Sequence, residues 1–349
     1  MAKKNKILKA AWAIVFALIL LVAVFGVLIY KQIYTPNFFT GNKSSEYLLI
    51  PTGSNFDDVI RIMDQNKMLL NEKSFRWTAH QMKYDLHIKP GRYLVKKGMN
   101  NKDVVALLKS GRQTPVNITF NNIRTKQQLA QIISEQIEAP KQNILNLLDD
   151  VDYTKKLGFT PENILAMFIP NTYELYWNTS ADKFIIRMNK EYMKFWTPLR
   201  MLKSKNIELT PVQISVIASI VQLESNKEDE KPIIAGVYIN RYRKNWKLEA
   251  DPTLVYALGD FTINRVLNVY KEIDSPYNTY MYTGLPPGPI CLPTINSLNA
   301  VLNFVTHNYM FFCAREDFSG YHSFASTYNQ HLENARRFQK ALDRRGIRS

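Results

Sequence analysis

Cysteine is nearly absent: Cys291 and Cys313 are the only two in 349 residues. Two thiols allow at most one bridge, so the chain is no disulfide-stapled scaffold, and no CxxC redox or zinc pair occurs. Thirteen glycines and 16 prolines are too few for a collagen-like or low-complexity chain. The five histidines, at 80, 87, 307, 322 and 331, include no i, i+4 pair, and HExxH is missing, which removes the common zinc-hydrolase arrangement. A GxSxG elbow, a Walker loop and GxGxxG are missing as well, so neither metal nor cofactor is expected. Ser180-Ala181-Asp182-Lys183 fits S-x-x-K, but it lacks KTG and SDN partners and lies in a polar turn. Acidic residues are also short, 30 against 45 basic, leaving a net charge of +15. What is present, 46% hydrophobic and 12% aromatic residues, excludes a disordered chain.

A positive surplus suits an anionic partner: lipid headgroups, acidic wall polymer or nucleic acid. The N-terminus separates these. Positions 10–30 carry no charge and are dense in Ala, Val, Leu, Ile and Phe. At about 1.5 Å per residue, such a helix spans a hydrocarbon core of roughly 30 Å. A cleaved signal would have a shorter apolar region of about 7–15 residues. Lys3, Lys4, Lys6 and Lys9 precede the run and only Lys31 closely follows it, which keeps the N-terminus cytoplasmic; Trp12 and Tyr30 mark the interfaces. The expected organisation is a cytoplasmic tail (1–9), a single transmembrane helix (10–30) and a polar tether (31–45), with everything later outside the cytoplasm. Nucleic acid is then not a partner, and no zinc-finger spacing or RNA-binding signature argues otherwise; membrane lipid is.

Beyond the tether, Tyr47-Leu48-Leu49-Ile50 reads as a strand. Ser54, with Asp57 three residues on, predicts a capped helix to about Asn66. The pattern Gly53-x-Asn55-x-x-Asp58-Val59-Ile60 returns as Gly98-x-Asn100-x-x-Asp103-Val104-Val105, with a looser third copy at Val116–Phe120 and Thr125-x-x-Gln128-Leu129. Repeated strand, turn and helix predict a small α+β module ending near Gly111, a fitting helix C-cap. Residues 126–206 read as mainly helical. They are interrupted by the aromatic stretch Phe168-Ile169-Pro170-Asn171-Thr172-Tyr173-Glu174-Leu175-Tyr176-Trp177, which either lines a sugar site or packs a core.

With metal and nucleophile motifs gone, carboxylate chemistry remains. Thr210-Pro211-Val212-Gln213 is a helix start, with Thr as N-cap, Pro at the first position and Gln at the third. Counting back from Glu224 by three, four and seven gives Val221, Ile220 and Ile217, so the acid continues the buried stripe at its C-terminal end. Apolar surroundings and the negative helix end both raise a carboxyl pKa there. A carboxyl still protonated near neutral pH is what a general acid for glycosidic cleavage requires. Glu228, Asp229 and Glu230 read as a solvated cluster. A second helix over Pro232–Arg241, a turn at Leu248–Thr253 and a rigid loop from Tyr277 to Ile290 supply amides, phenols and a further acid.

Several ordered blocks now carry a resemblance. Ala218-Ser219-Ile220-Val221-x-x-Glu224, Ala235-Gly236-Val237-Tyr238-Ile239-Asn240-Arg241 and Leu248-x-x-Asp251-Pro252-Thr253 come first. Tyr277-Asn278-Thr279-Tyr280, Gly284-Leu285-Pro286-Pro287-Gly288-Pro289-Ile290 and His322-Ser323-Phe324 follow. Together they resemble the YceG-like (MltG) endolytic murein transglycosylases. The resemblance implies an α+β chain: a single transmembrane helix, a small LysM-like module (46–115) and a larger mixed α/β catalytic domain (116–349, core 210–345). It implies cleavage of the MurNAc-β-1,4-GlcNAc bond in nascent glycan strands by Glu224, close to peptidoglycan synthases at the cell membrane. The resemblance also places the family's further Glu on Glu230, and Arg241, Asp251, Thr253, Tyr277 and His322 fall in the matching blocks as supporting positions. Asn240, Asn278 and Tyr280 either orient sugar hydroxyls and acetamides or hold the loops. Three departures stand out: Gln222 where a second Glu is frequent, Glu249 in place of Gln, and Asn171 in place of Asp. The rival readings are a muramidase-type hydrolase using Glu224 and Asp251, and a wall-binding scaffold without activity.

Overall fold

The computed structural model describes residues 2–346 apart from Asn264, with side chains from Lys6 onward. The opening helix α1 spans Ala2–Tyr34. Among the described residues it is the one helix long and apolar enough to cross a membrane, and Trp12, Phe16, Leu21 and Phe25 stand exposed on it. Residues 31–45 differ from the expected tether. The helix continues to Tyr34, and Pro36 and Phe38 then bridge to Asn100 and Leu69. Phe38 is buried edge-on against Phe75, ring centres 5.5 Å apart. Asn37 donates to the Asn101 side chain at 2.7 Å. The apolar Phe38 gains more by burial than a solvated linker allows.

The chain divides into two compact units, residues 1–116 with 174–179, and 117–173 with 180–349. After α1 the first unit runs β1 (Ser45–Ile50), α2 (Phe56–Gln65), α3 (Glu72–Gln81), β2 (Gly91–Lys96) and α4 (Asn101–Ser110). The strands pair antiparallel, Leu48 opposite Tyr93, over a core that includes Ile50, Val59, Met63, Phe75, Val104 and Leu108. The sequence repeat is a turn-and-cap device. Gly53 and Gly98 take φ of +86° and +77°, a region open to glycine without steric cost. Asn55 and Asn100 then cap α2 and α4 by accepting from the Asp58 and Asp103 amides, each at 2.9 Å. The cap of α2 is therefore Asn55 with Asp58 closing the box, one residue beyond the Ser54–Asp57 pair expected. Gly111 ends α4 in the left-handed conformation. The looser third copy does form a strand and a Thr125-capped helix, but its strand does not join this sheet.

The second unit opens with β3 (Val116–Phe120), α5 (Lys126–Ser134), α6 (Lys141–Asp149) and α7 (Val151–Lys156). β4 (Asn171–Leu175) pairs with β3. Then come α8 (Ala181–Phe195), α9 (Pro198–Asn206), α10 (Pro211–Glu224), α11 (Lys231–Arg243), α12 (Asp251–Leu258) and α13 (Ile295–Leu302). The antiparallel pair β5 (Phe311–Ala314) and β6 (His322–Ala325) precedes α14 (Tyr328–Arg344). The architecture is mixed α and β. Its strands form only two-stranded sheets among the described residues, so helices rather than a central sheet carry the second unit. Ser180 is the N-cap of α8, which gives the S-x-x-K match a structural role. Phe168 and Tyr173 of the aromatic stretch are buried, and the Tyr173 hydroxyl donates to the Ile169 carbonyl at 2.6 Å. Phe168, Ile169, Tyr173 and Leu175 of that stretch pack the core, while Tyr176 is exposed.

α10 is the spine of this unit. Its Thr210–Gln213 capping box forms as expected. Every residue from Ile214 to Val221 is buried, so the helix is enclosed all round rather than on one stripe. α11 and α13 pack against it. A Cβ on Gly236 would sit 2.6 Å from the Val305 carbonyl oxygen, so only glycine lets α11 approach that segment. Helix α10 also holds the proline-rich loop. The Ile290 amide donates to Ser219 Oγ at 3.0 Å and the Cys291 thiol to the Ser219 carbonyl at 3.5 Å.

Candidate active site

Glu224 is the last residue of α10, carried by that enclosed helix to the edge of a cleft. The Tyr238 hydroxyl, buried on α11, donates to Glu224 Oε1 at 2.7 Å. Two cavities meet here. One, of about 280 Å³, is lined by Glu224, Tyr238, Arg241, Asp251, Tyr280, Phe311, Phe312 and Tyr328, among others. The other, of about 430 Å³, is lined by Glu224 and Asp251 again, with Arg124, Phe261 and Arg265. Both carboxylates therefore line both cavities.

Burial pushes the Glu224 carboxyl up to about 7, and the negative charge of Asp251 adds to the rise. The Tyr238 hydrogen bond and the Arg241 charge oppose it without cancelling it. With Oε1 accepting from Tyr238, the proton belongs on Oε2. Asp251, the first residue of α12, accepts from the Tyr280 hydroxyl at 2.5 Å. Burial, with this bond second, pushes the Tyr280 phenol far above its ordinary value, so it stays a donor.

The other expected residues separate into wall and scaffold. Arg241 faces the cleft, and two of its nitrogens are engaged: Nε on the Met310 carbonyl at 2.7 Å, Nη1 on the Leu248 carbonyl at 2.8 Å and on Glu249 at 3.0 Å. Asn240 donates to the His307 and Tyr309 carbonyls. Asn278 is fully buried, donating to the Lys271 and Ile273 carbonyls and accepting from the Tyr280 amide. Thr253 is enclosed with Thr279 at 2.8 Å. Tyr277 packs on Tyr256, ring centres 4.6 Å apart. Asn278, Thr253 and Tyr277 secure the segments that carry Tyr280 and Asp251, while Asn240 ties α11 to the segment before β5.

Glu230 is 3% exposed, unlike its exposed neighbours Glu228 and Asp229; it is not part of the solvated cluster expected there. It accepts from the His322 amide, pairs with His322 Nδ1, each at 2.7 Å, and accepts from the Ser225 hydroxyl at 3.2 Å. It thereby ties the end of α10 and the start of α11 to β6. Gln222 takes the Thr294 amide and Ser297 hydroxyl on Oε1 and donates to the Leu292 carbonyl. Its position serves the start of α13. Glu249 has φ of +52° and faces the cleft beside Arg241. Asn171 is exposed at the start of β4. Both cysteines are free, and burial pushes the Cys291 thiol up to about 12. Among the described residues no cluster of His, Cys, Asp and Glu is arranged to hold a metal ion.

A model of the YceG-like family matches residues 48–337, most of the chain and all of this groove. The chain belongs to the YceG-like family. It is 28% identical over 306 residues to the endolytic murein transglycosylase of Bacillus subtilis, covering 83% of this chain and 84% of that relative. The endolytic murein transglycosylase of Streptococcus pneumoniae D39 is 25% identical over 296 residues. There the match covers 76% of this chain but 53% of the relative, so the chain spans about half of that longer protein. The crystal structure of a yceG-like protein from Listeria monocytogenes superposes with a TM-score of 0.55 at 25% identity, covering 84% of this chain and 99% of that one.

For this YceG-like chain, sequence reasoning missed Tyr238 as the partner of Glu224, although it lies inside a quoted block. It is 14 residues from the acid, and helical spacing cannot relate residues on two helices. Phe311, Tyr328 and His331, stacked together along one arm, and Arg124 on the other were missed as well. Aromatics and arginines carry no spacing signal until the fold brings them to one groove.

Proposed function

We propose that this chain is a membrane-anchored endolytic lytic transglycosylase of peptidoglycan, with Glu224 as its general acid and base. The observation that carries the reading is the place of Glu224: a carboxyl that burial and Asp251 hold protonated to about pH 7, at the junction of two groove arms. An enzyme cutting inside a strand must hold sugar on both sides of the acid, and this groove offers both.

Glu224 Oε2 gives its proton to the oxygen of the MurNAc-β-1,4-GlcNAc bond as the bond opens through an oxocarbenium-like state. Tyr238 keeps Oε1 occupied, which aims the proton into the groove. The Asp251 carboxylate, held by Tyr280, stabilises the developing positive charge. The Glu224 carboxylate then takes the proton of the muramoyl 6-hydroxyl, which attacks C1 and closes the 1,6-anhydro ring. The aromatic arm, with Tyr280, Phe311 and Tyr328, stacks apolar sugar faces. On the same reading the first unit is a LysM-like wall-binding module and α1 is a cell-membrane anchor with its N-terminus in the cytoplasm. The enzyme then works beside peptidoglycan synthases, releasing new strands.

A second reading, a hydrolase in which Asp251 activates water, is favoured by the shared lining of Glu224 and Asp251. Mass spectrometry of products from purified sacculi separates the two: anhydro ends support the transglycosylase, ends one water heavier the hydrolase. Glu224→Gln removes the acid and is expected to lower turnover by about 10²–10⁴-fold. Turnover like that of the wild type would end the assignment of Glu224, whereas wall binding without any glycan cleavage in the wild type would favour the scaffold.

A further inference from the structure

The two arms of the groove differ in charge. In the aromatic arm the one guanidinium, Arg241, already faces the Glu249 carboxylate and donates through Nε and Nη1 to backbone carbonyls. The other arm carries Arg124 and Arg265. Arg124 precedes α5, where its own amide donates to Gln128 at 2.8 Å. Its guanidinium lies 4.9 Å from the centre of the Phe261 ring. A ring face holds the cation in place while leaving the N–H edge able to bind. Arg265 is exposed at the rim. Neither arginine forms a salt bridge with a carboxylate among the described residues. The carboxyl at the junction, Glu224, is neutral below about pH 7.

We propose that the Arg124–Arg265 arm binds carboxylates of the stem peptide on the muramyl unit at the cleavage point, so that the enzyme selects peptide-bearing strands over stripped ones. The sugars are neutral rings; the oxyanions of a nascent strand are the peptide carboxylates and the pyrophosphate of a lipid-linked end. One of the two sugars flanking the scissile bond is muramyl and carries the peptide. The cationic arm adjoins the acid directly, which favours the peptide over a distant strand end. The assignment of the arm to the muramyl side rests on the transglycosylase reading above.

The test uses full-length protein in detergent and labelled, uncrosslinked strands of defined length in three forms: peptide-bearing, amidase-stripped, and peptide-bearing with the lipid pyrophosphate retained. Binding is measured by anisotropy in the Glu224→Gln background, and cleavage in the wild type. The affinity ratio of peptide-bearing to stripped strands is expected at about tenfold to a hundredfold, the range for hydrogen bonds to charged groups. Arg124→Gln with Arg265→Gln brings that ratio close to one and flattens its salt dependence. An unchanged ratio in the double variant, no preference in the parent, or a preference that follows the pyrophosphate instead would each overturn the proposal. A collapsed binding ratio without anhydro products would leave carboxylate recognition standing and sink the transglycosylase reading alone.

Discussion

The raised Glu224 pKa has a cost in stability, and its sign is fixed. The folded state holds this proton up to about pH 7, the unfolded chain only to about its ordinary 4.5. Below pH 4.5 both states are protonated and nothing is lost. As pH rises through the window from 4.5 to 7, the unfolded chain releases its proton first, and stability falls. Above 7 the full difference applies: 2.5 units at about 1.36 kcal/mol each, roughly 3 kcal/mol. Glu224→Gln removes the titration and keeps an oxygen to accept from Tyr238. Its gain over the wild type should be near zero at pH 4 and about 3 kcal/mol at pH 8. For a domain of 150–250 residues that is a melting shift of roughly 6–12 °C. Calorimetry or circular dichroism of both proteins at pH 4, 6 and 8 measures it. A shift of equal size at all three values, or a variant less stable at pH 8, would refute the reasoning about the buried acid.

Tyr238→Phe removes a hydrogen bond that lowers the Glu224 pKa, so the alkaline limb of the pH–rate profile should move above pH 7 while the maximal rate falls. Asp251→Asn removes a charge that raises it; the same limb should move below pH 7, with products still in the anhydro form. Glu230→Ala strands the His322 amide and imidazole and the Ser225 hydroxyl and should destabilise the fold by about 1–3 kcal/mol, read from urea unfolding. Gly288→Ala drives a Cβ to 2.0 Å from the Glu162 carbonyl oxygen. Displacement of the proline-rich loop should cost about 1–3 kcal/mol and reduce strand cleavage, whereas Gly284→Ala, whose Cβ meets open space at φ +85°, strains only its own backbone.

What the sequence determined by itself is local. An uncharged run at 10–30 makes one long helix because nothing in it favours water. Gly53–Asn55 and Gly98–Asn100 start helices because turn and cap lie within three residues, and Thr210 through Gln213 does the same for α10. The same register puts Glu224 at the end of a buried helix. Tertiary structure decided everything that joins distant positions. Tyr238 meets Glu224 only because α11 packs against α10, and the Asn240, Asn278 and Thr253 side chains hold backbone carbonyls. Glu230, read as surface, is buried because β6 brings His322 to it from 92 residues away. The two arms of the groove, one aromatic and one cationic, follow from packing α12, β5 and α14 around the end of α10, and hydrophobic periodicity holds no information about which distant faces will meet.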